Sequence, residues 1–214
     1  MSETRMRRRP GRWTLVAGVG LVALGVLSMN AYATFTATTS VTQTTPFTAG
    51  HMSITVPASG ATDRLYTGAS GIAPGDTMQR VVDVTVDNST TSGILTALKV
   101  AISASPSSAL DTDATNGLKV WVQKCSTAYS ESGPPYTYTC GGSTADVIGT
   151  SGSPVAISTL TSATTLTGVS TTPNATSHLR FYFTFPSTAG DSFQDASSTL
   201  TFTFSGTQRA GTDQ

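Results

Sequence analysis

From residue 52 onward the apolar residues recur at every second position. Met52, Ile54 and Val56 alternate with Ser53 and Thr55, Val82, Val84 and Val86 with Asp83 and Thr85, and Leu98, Val100 and Ile102 with Lys99, Ala101 and Ser103. Leu118, Val120 and Val122 continue the series; Leu179, Phe181, Phe183 and Phe185, then Leu200, Phe202 and Phe204, complete it. A period of two sends successive side chains to opposite faces of an extended strand, so each run has one face for a core and one for water. No stretch beyond residue 33 carries an i, i+3, i+4, i+7 apolar stripe of any length. Turn signals separate the runs at Pro57-Ala58-Ser59-Gly60, Pro74-Gly75-Asp76, Asn88-Ser89, Asn116-Gly117, Gly141-Gly142 and Pro173-Asn174. Roughly eight to ten short strands of this kind predict an all-β protein, an antiparallel two-sheet sandwich of jelly-roll type. Residues 150–177 are the most Ser/Thr-rich stretch, with Val155, Ile157, Leu160 and Leu166 scattered through it. Two ragged edge strands are expected there, because long structureless loops are rare in compact domains.

The first 33 residues follow a different rule. Arg5, Arg7, Arg8, Arg9 and Arg12 precede an uncharged run from Trp13 to Met29, and Ala31-Tyr32-Ala33 follows it. A basic region, an apolar region and small residues spaced A-x-A are the parts of a cleavable signal helix. Processing is expected at Ala31, Ala33 and Thr34, with cleavage after Ala33. An uncleaved membrane anchor fits less well, since seventeen residues make roughly 25 Å of helix against a hydrocarbon core of ~30 Å. Twin-arginine export is disfavoured by Pro10 and Gly11. The chain therefore divides into a signal peptide (1–33), an amino-terminal strand (34–46) and a sandwich domain (47–214), in a secreted protein at the cell surface or in the extracellular space.

Composition sharpens this picture. Only 11% of the 214 residues are charged, less than half the roughly 25% usual for soluble domains. Thr and Ser number 40 and 27, so hydroxyls stand where charges normally would, and Thr in particular suits a pleated, half-exposed surface. The formal net charge is zero, but five of the 12 basic residues lie in the leader; without residues 1–33, seven basic and 11 acidic residues leave about −4. Such a chain lacks the basic excess that nucleic-acid binding requires. Its low charge density weakens repulsion between copies, which suits self-association.

Candidate chemistry is sparse. Cys125 and Cys140 are the two cysteines, and in an oxidising exterior they are expected to form a disulfide worth roughly 3 kcal/mol for a loop of about fifteen residues. The enclosed loop reads as a protrusion, with a turn at Ser132-Gly133-Pro134-Pro135 and a short returning strand, Tyr136-Thr137-Tyr138-Thr139. His51 and His178 lie far from both cysteines and lack a C-x-x-C or H-E-x-x-H context, so they read as surface histidines, with no catalytic residue, metal site or cofactor implied. Asp111, Asp113 and Asn116-Gly117 resemble a calcium loop, but the spacing is one residue too long and the terminal acid is missing. A polar turn before Leu118 explains them. Asp191 and Asp195 read as a polar connection, and Asn88-Ser89-Thr90 and Asn174-Ala175-Thr176 are sequons of a kind common by chance in Thr-rich chains.

Several of these residues also carry a family resemblance. Ala31-Tyr32-Ala33, then Thr34-Phe35-Thr36-Ala37-Thr38, then Phe47-Thr48-Ala49-Gly50 leading into Met52-Ser53-Ile54-Thr55-Val56 resemble the start of the TasA, camelysin and CalY proteins, bacterial secreted proteins with a SipW-type signal peptide. Pro74-Gly75-Asp76 before a strand ending at Asn88, and Leu200 to Phe204 followed by Gly206-Thr207-Gln208, agree with it. The disulfide loop and the Thr-rich middle depart from it. The resemblance implies a jelly-roll subunit of extracellular biofilm-matrix fibres, in which the processed amino-terminal strand of one subunit fills a groove in the next. In this sequence that donor strand carries Phe35, Ala37, Thr39 and Val41 on one face and Thr36, Thr38 and Ser40 on the other. The same alternation fits a first strand in the protein's own sheet, and both readings stay open at this stage. Camelysin implies a metallo-endopeptidase, for which these residues offer no ligand spacing. A third reading is a monomeric adhesin or glycan-binding module using Trp121, Tyr129, Tyr136 and Tyr138. The partners expected are other copies of the chain and a signal peptidase, with membrane contact only through an uncleaved leader and no nucleic acid.

Overall fold

The computed structural model describes residues 33–41, 53–56, 63–87 and 95–208. The leader ahead of Ala33, including Ala31, lies outside them, as do Met52 and the segment after Val41. The described residues form an all-β protein whose sheets are antiparallel except at one strand pair. Its strands are β1 (Ala33–Val41), β2 (Ser53–Thr55), β3 (Ala69–Ile72), β4 (Thr77–Asp87), β5 (Leu95–Ala104), β6 (Lys119–Cys125), β7 (Tyr129–Ser132) and β8 (Thr137–Cys140). They continue with β9 (Thr144–Ile148), β10 (Val155–Ala156), β11 (Thr164–Thr165), β12 (Thr176–Thr184) and β13 (Ser197–Gln208). One sheet runs β11-β5-β13-β1-β3 and the other β10-β6-β12-β4-β2, with β9 also on the edge of β6. Eight strands (β3, β4, β5, β6, β9, β11, β12, β13) follow the jelly-roll order, changing sheet at each step except from β6 to β9, which pair with each other, and β1 is an additional strand wedged between β3 and β13.

The alternation read from the sequence sets the faces. Val82, Val84 and Val86 of β4, Leu98, Val100 and Ile102 of β5, Val120 and Val122 of β6, Leu179, Phe181 and Phe183 of β12, and Leu200, Phe202 and Phe204 of β13 are all buried. Phe181 meets Phe202 edge-on across the sandwich with ring centroids 5.8 Å apart, Phe183 meets Phe202 at 5.9 Å, and Phe185 meets Phe193 at 5.4 Å. Full burial of side chains of this size contributes about 1.5–3 kcal/mol each, and the Phe rings of β12 and β13 contact one another directly between the two sheets.

Three local features differ from the sequence expectation. A one-turn helix, α1 (Ala109–Thr112), closes one end of the sandwich: the Ser108 hydroxyl accepts from Leu110 N at 3.1 Å, and Asp111 accepts from Ser108 N at 2.8 Å. This is a capping box, too short to leave a stripe in the sequence. Within residues 150–177 the two ragged strands exist, but β10 pairs with β6 and β11 with β5, so they belong to opposite sheets. The buried Ile157, Leu160 and Leu166 make this segment a crossover over the core. Lastly, Cys125 and Cys140 form the expected disulfide, with Cα atoms 5.8 Å apart, but its hairpin does not protrude. β7 and β8 fold back on the outer face of the six-stranded sheet, where Tyr129, Tyr138, Val81 and Cys125 form a second small core.

Candidate functional site

The most unusual place in the fold is the position of β1. It runs parallel to β13, from Thr34 opposite Ser197 to Val41 opposite Phe204, and antiparallel to β3 through Ala33–Ile72 and Phe35–Ala69. Of the expected donor positions, Phe35, Ala37, Thr39 and Val41 share register rows with Ser198, Leu200, Phe202 and Phe204, the core-side row of β13. In the single chain β1 thus fills a slot in its own sheet. A jelly roll otherwise pairs the strands at β3 and β13 directly, so β1 holds the slot open.

The walls of this slot are fixed by contacts that do not involve β1. On one side, the segment leading into β3 is tied to β4 through the Asp63–Val82 bridge and the hydrogen bond from Arg64 N to Val81 O, 2.9 Å. Arg80 donates from Nε to Thr67 O at 2.6 Å and from Nη2 to Gly68 O at 2.8 Å. Past β3, the Pro74-Gly75-Asp76 turn is held by Gly75 N to Phe185 O, 2.7 Å, and by Asp76 Oδ2 accepting from Ala73 N, 2.8 Å. On the other side, β13 is paired with β5 from Leu200 to Gln208, and its buried Ser198 donates to Asp111 Oδ1 at 2.6 Å. Burial pushes the Asp111 carboxyl up, but hydrogen bonds from Ser107, Ser198 and the Ser108 backbone outweigh it and hold the group below the usual carboxylate range. These bonds engage both Asp111 oxygens, and Asp113 Oδ1 accepts from Thr115 N and Asn116 N at 2.8 and 2.9 Å, the polar turn expected before Leu118.

The outer face of the six-stranded sheet carries a cation–aromatic cluster that the sequence pattern only hinted at. Trp121 and Tyr182, opposite one another on β6 and β12, stack with centroids 4.3 Å apart and planes 4° from parallel. The buried Arg180 guanidinium lies 4.5 Å from the Tyr182 ring centroid and 4.8 Å from that of Tyr129, and donates to Tyr138 O at 2.6 Å. Arg64 forms a two-bond ion pair with Glu131, 2.8 Å each, and sits 4.6 Å over Tyr136. The guanidinium holds the Glu131 carboxyl below its ordinary range. The four aromatics expected to make a sugar platform are therefore divided: Tyr129 and Tyr138 are buried in the small core, and Trp121 is half-buried against Tyr182.

His178 is not the isolated surface histidine the sequence implied. Its Nδ1 lies 2.7 Å from Asp83 Oδ1 on the neighbouring strand, a pairing legible in retrospect from two outward-parity positions. Nearby, the fully buried Asp63 accepts from Leu65 N at 3.1 Å through one oxygen, and its other oxygen has no partner. Burial raises its carboxyl to about 6. Among the described residues no three His, Cys, Asp or Glu side chains are grouped so as to hold a metal ion, and His51 lies outside them.

No protein-family model matches the chain, and no curated protein matches it in sequence at a significant level.

Proposed function

We propose that the chain is an exported, non-enzymatic structural subunit that self-associates into fibres at or beyond the cell surface, by passing its amino-terminal strand into the slot of a neighbouring copy. The observation that carries this reading is the insertion of β1 between β3 and β13, in a slot whose two walls are anchored independently of it. Once the leader is removed after Ala33, Thr34 is a chain end lying at the start of the strand, and residues 34–46 carry no charge. Such a strand leaves its own sheet and enters another without threading a loop. The contacts made in the neighbour are those given up at home, so exchange trades like for like, as in domain swapping. The backbone ladder provides affinity, and the alternate positions set the register.

The test compares the chain starting at Thr34 with one starting at Phe47, by light scattering and electron microscopy. The longer chain is expected to form fibres. The shorter one is expected to stay unassembled and to bind an added peptide of residues 34–46, giving a stable monomer. Equal assembly by both chains sinks the strand-exchange reading.

A further inference from the structure

A cleft of about 310 Å³ opens at the end of the sandwich, between the last residues of β6, the first of β9 and β12, and the turn at Gly168. At its wall is Lys124, at the position of β6 where the core alternation of Val120 and Val122 calls for another apolar residue, paired with the fully buried Leu179. The ammonium donates to Gly168 O, one of the three bonds an ammonium can make. The ion pairs among the described residues are Arg64–Glu131 and His178–Asp83, and Lys124 belongs to neither. The turn is shaped around it: Gly168 adopts φ +69°, and a Cβ there would come within 3.2 Å of Nζ.

Apart from Cys125, Ala145 and Gly168, the rest of the lining is hydroxylic, with Ser126, Ser143, Thr144, Thr176 and Ser177 facing the same cleft. Ser177 Oγ accepts from Ser170 N at 3.3 Å, and Ser126 Oγ accepts from Ser143 N at 3.0 Å. A hydroxyl that accepts an N–H still has its own proton to donate. A cation outside the ion pairs of the described residues, several hydroxyls that donate and accept, and a volume near the lower end of the range for small-ligand sites fit a small ligand bearing one carboxylate and several hydroxyls.

We infer that this cleft binds an acidic sugar, a uronate unit, with its carboxylate on Lys124 Nζ and its ring hydroxyls on the serine and threonine rim. A carboxylate on an ammonium forms a charge-assisted hydrogen bond, stronger than a neutral one. None of the elements that build the cleft is β1, so binding does not rest on strand exchange.

Calorimetric titration of the chain from Thr34 with glucuronate, glucose and acetate tests the inference. Saturable glucuronate binding is expected, with no detectable glucose binding, acetate at least tenfold weaker, and a loss of at least tenfold in Lys124→Gln but not in the control Lys99→Gln. Absence of saturable binding, or equal binding by Lys124→Gln, overturns it. Acetate binding as tightly as glucuronate also overturns it, by reducing the cleft to a bare anion site. Circular dichroism of Lys124→Gln distinguishes a lost ligand contact from a lost fold, and if that variant is unfolded, Ser177→Ala takes its place with the same expected weakening.

Discussion

Thr38 of β1 is paired with Thr201 of β13 in parallel register. Neighbouring strands lie about 4.8 Å apart, within the Cα separation that a disulfide spans. A Thr38→Cys/Thr201→Cys chain is expected to cross-link within one subunit and lose fibre growth, and to recover it under a reductant mild enough to leave Cys125–Cys140 intact. Electron microscopy before and after reduction reads the result. Fibres grown by fully cross-linked protein would contradict exchange of β1.

Asp63 gives stability an unusual pH dependence. Its carboxyl is raised to about 6 in the folded protein from an ordinary value of 3.8, so folding favours the neutral form. Its contribution is most favourable below the unfolded value, declines as pH rises from about 4 to 6, and is flat above. The difference corresponds to about 3 kcal/mol at most. Asp63→Asn, which keeps an acceptor for Leu65 N, is expected to raise the melting temperature at pH 7.5 and to leave it little changed at pH 3.5. Denaturation curves across that range check it.

Removing the disulfide should cost more than its loop entropy. Cys125→Ser/Cys140→Ser opens a loop of sequence separation 15, worth roughly 3 kcal/mol, and loosens the hairpin over Val81, Tyr129 and Tyr138. A loss of about 3–4 kcal/mol in chemical denaturation is expected, with increased binding of a hydrophobic dye.

Arg180 is held by its planarity as much as by its charge. Stacked against two rings and bonded to Tyr138 O and Gln123 Oε1, it has no ammonium equivalent. Arg180→Lys is expected to lose about 1–3 kcal/mol, and urea denaturation measures it.

Gly117 is required by close approach. A Cβ there would lie 2.4 Å from Asp113 O and 2.9 Å from both Ala109 O and Leu110 O, all backbone atoms of the α1 cap. Gly117→Ala is expected to destabilise by about 2–4 kcal/mol, whereas Gly152→Ala, with open space around it, is expected to change little.

Much of the fold was legible in the chain because its signals are local. Alternation at Val82–Val86, Leu98–Ile102 and Leu200–Phe204 assigns each side chain to a face whatever the partner strand is. Two cysteines fifteen residues apart leave one possible intramolecular bridge. The short helix α1 was invisible, since its stability comes from the Ser108–Asp111 cap and the buried Leu110 rather than from a stripe. The packing of the disulfide hairpin on the sheet is not legible in the chain, because nothing in Tyr136-Thr137-Tyr138-Thr139 indicates that Val81 and Arg180 are there to receive it.

What the amino-acid order determined by itself was therefore strand content, the inward and outward faces, the disulfide and the low charge density. Only the tertiary structure decided that β1 runs parallel to β13 and separates it from β3, that His178 meets Asp83, and that Lys124 reaches Gly168 O in a cleft rich in Ser and Thr. The physical reason is that the choice of edge and register is made by groups far apart in the chain. A strand whose outward positions are almost all Ser and Thr carries no charge pattern to announce its partner.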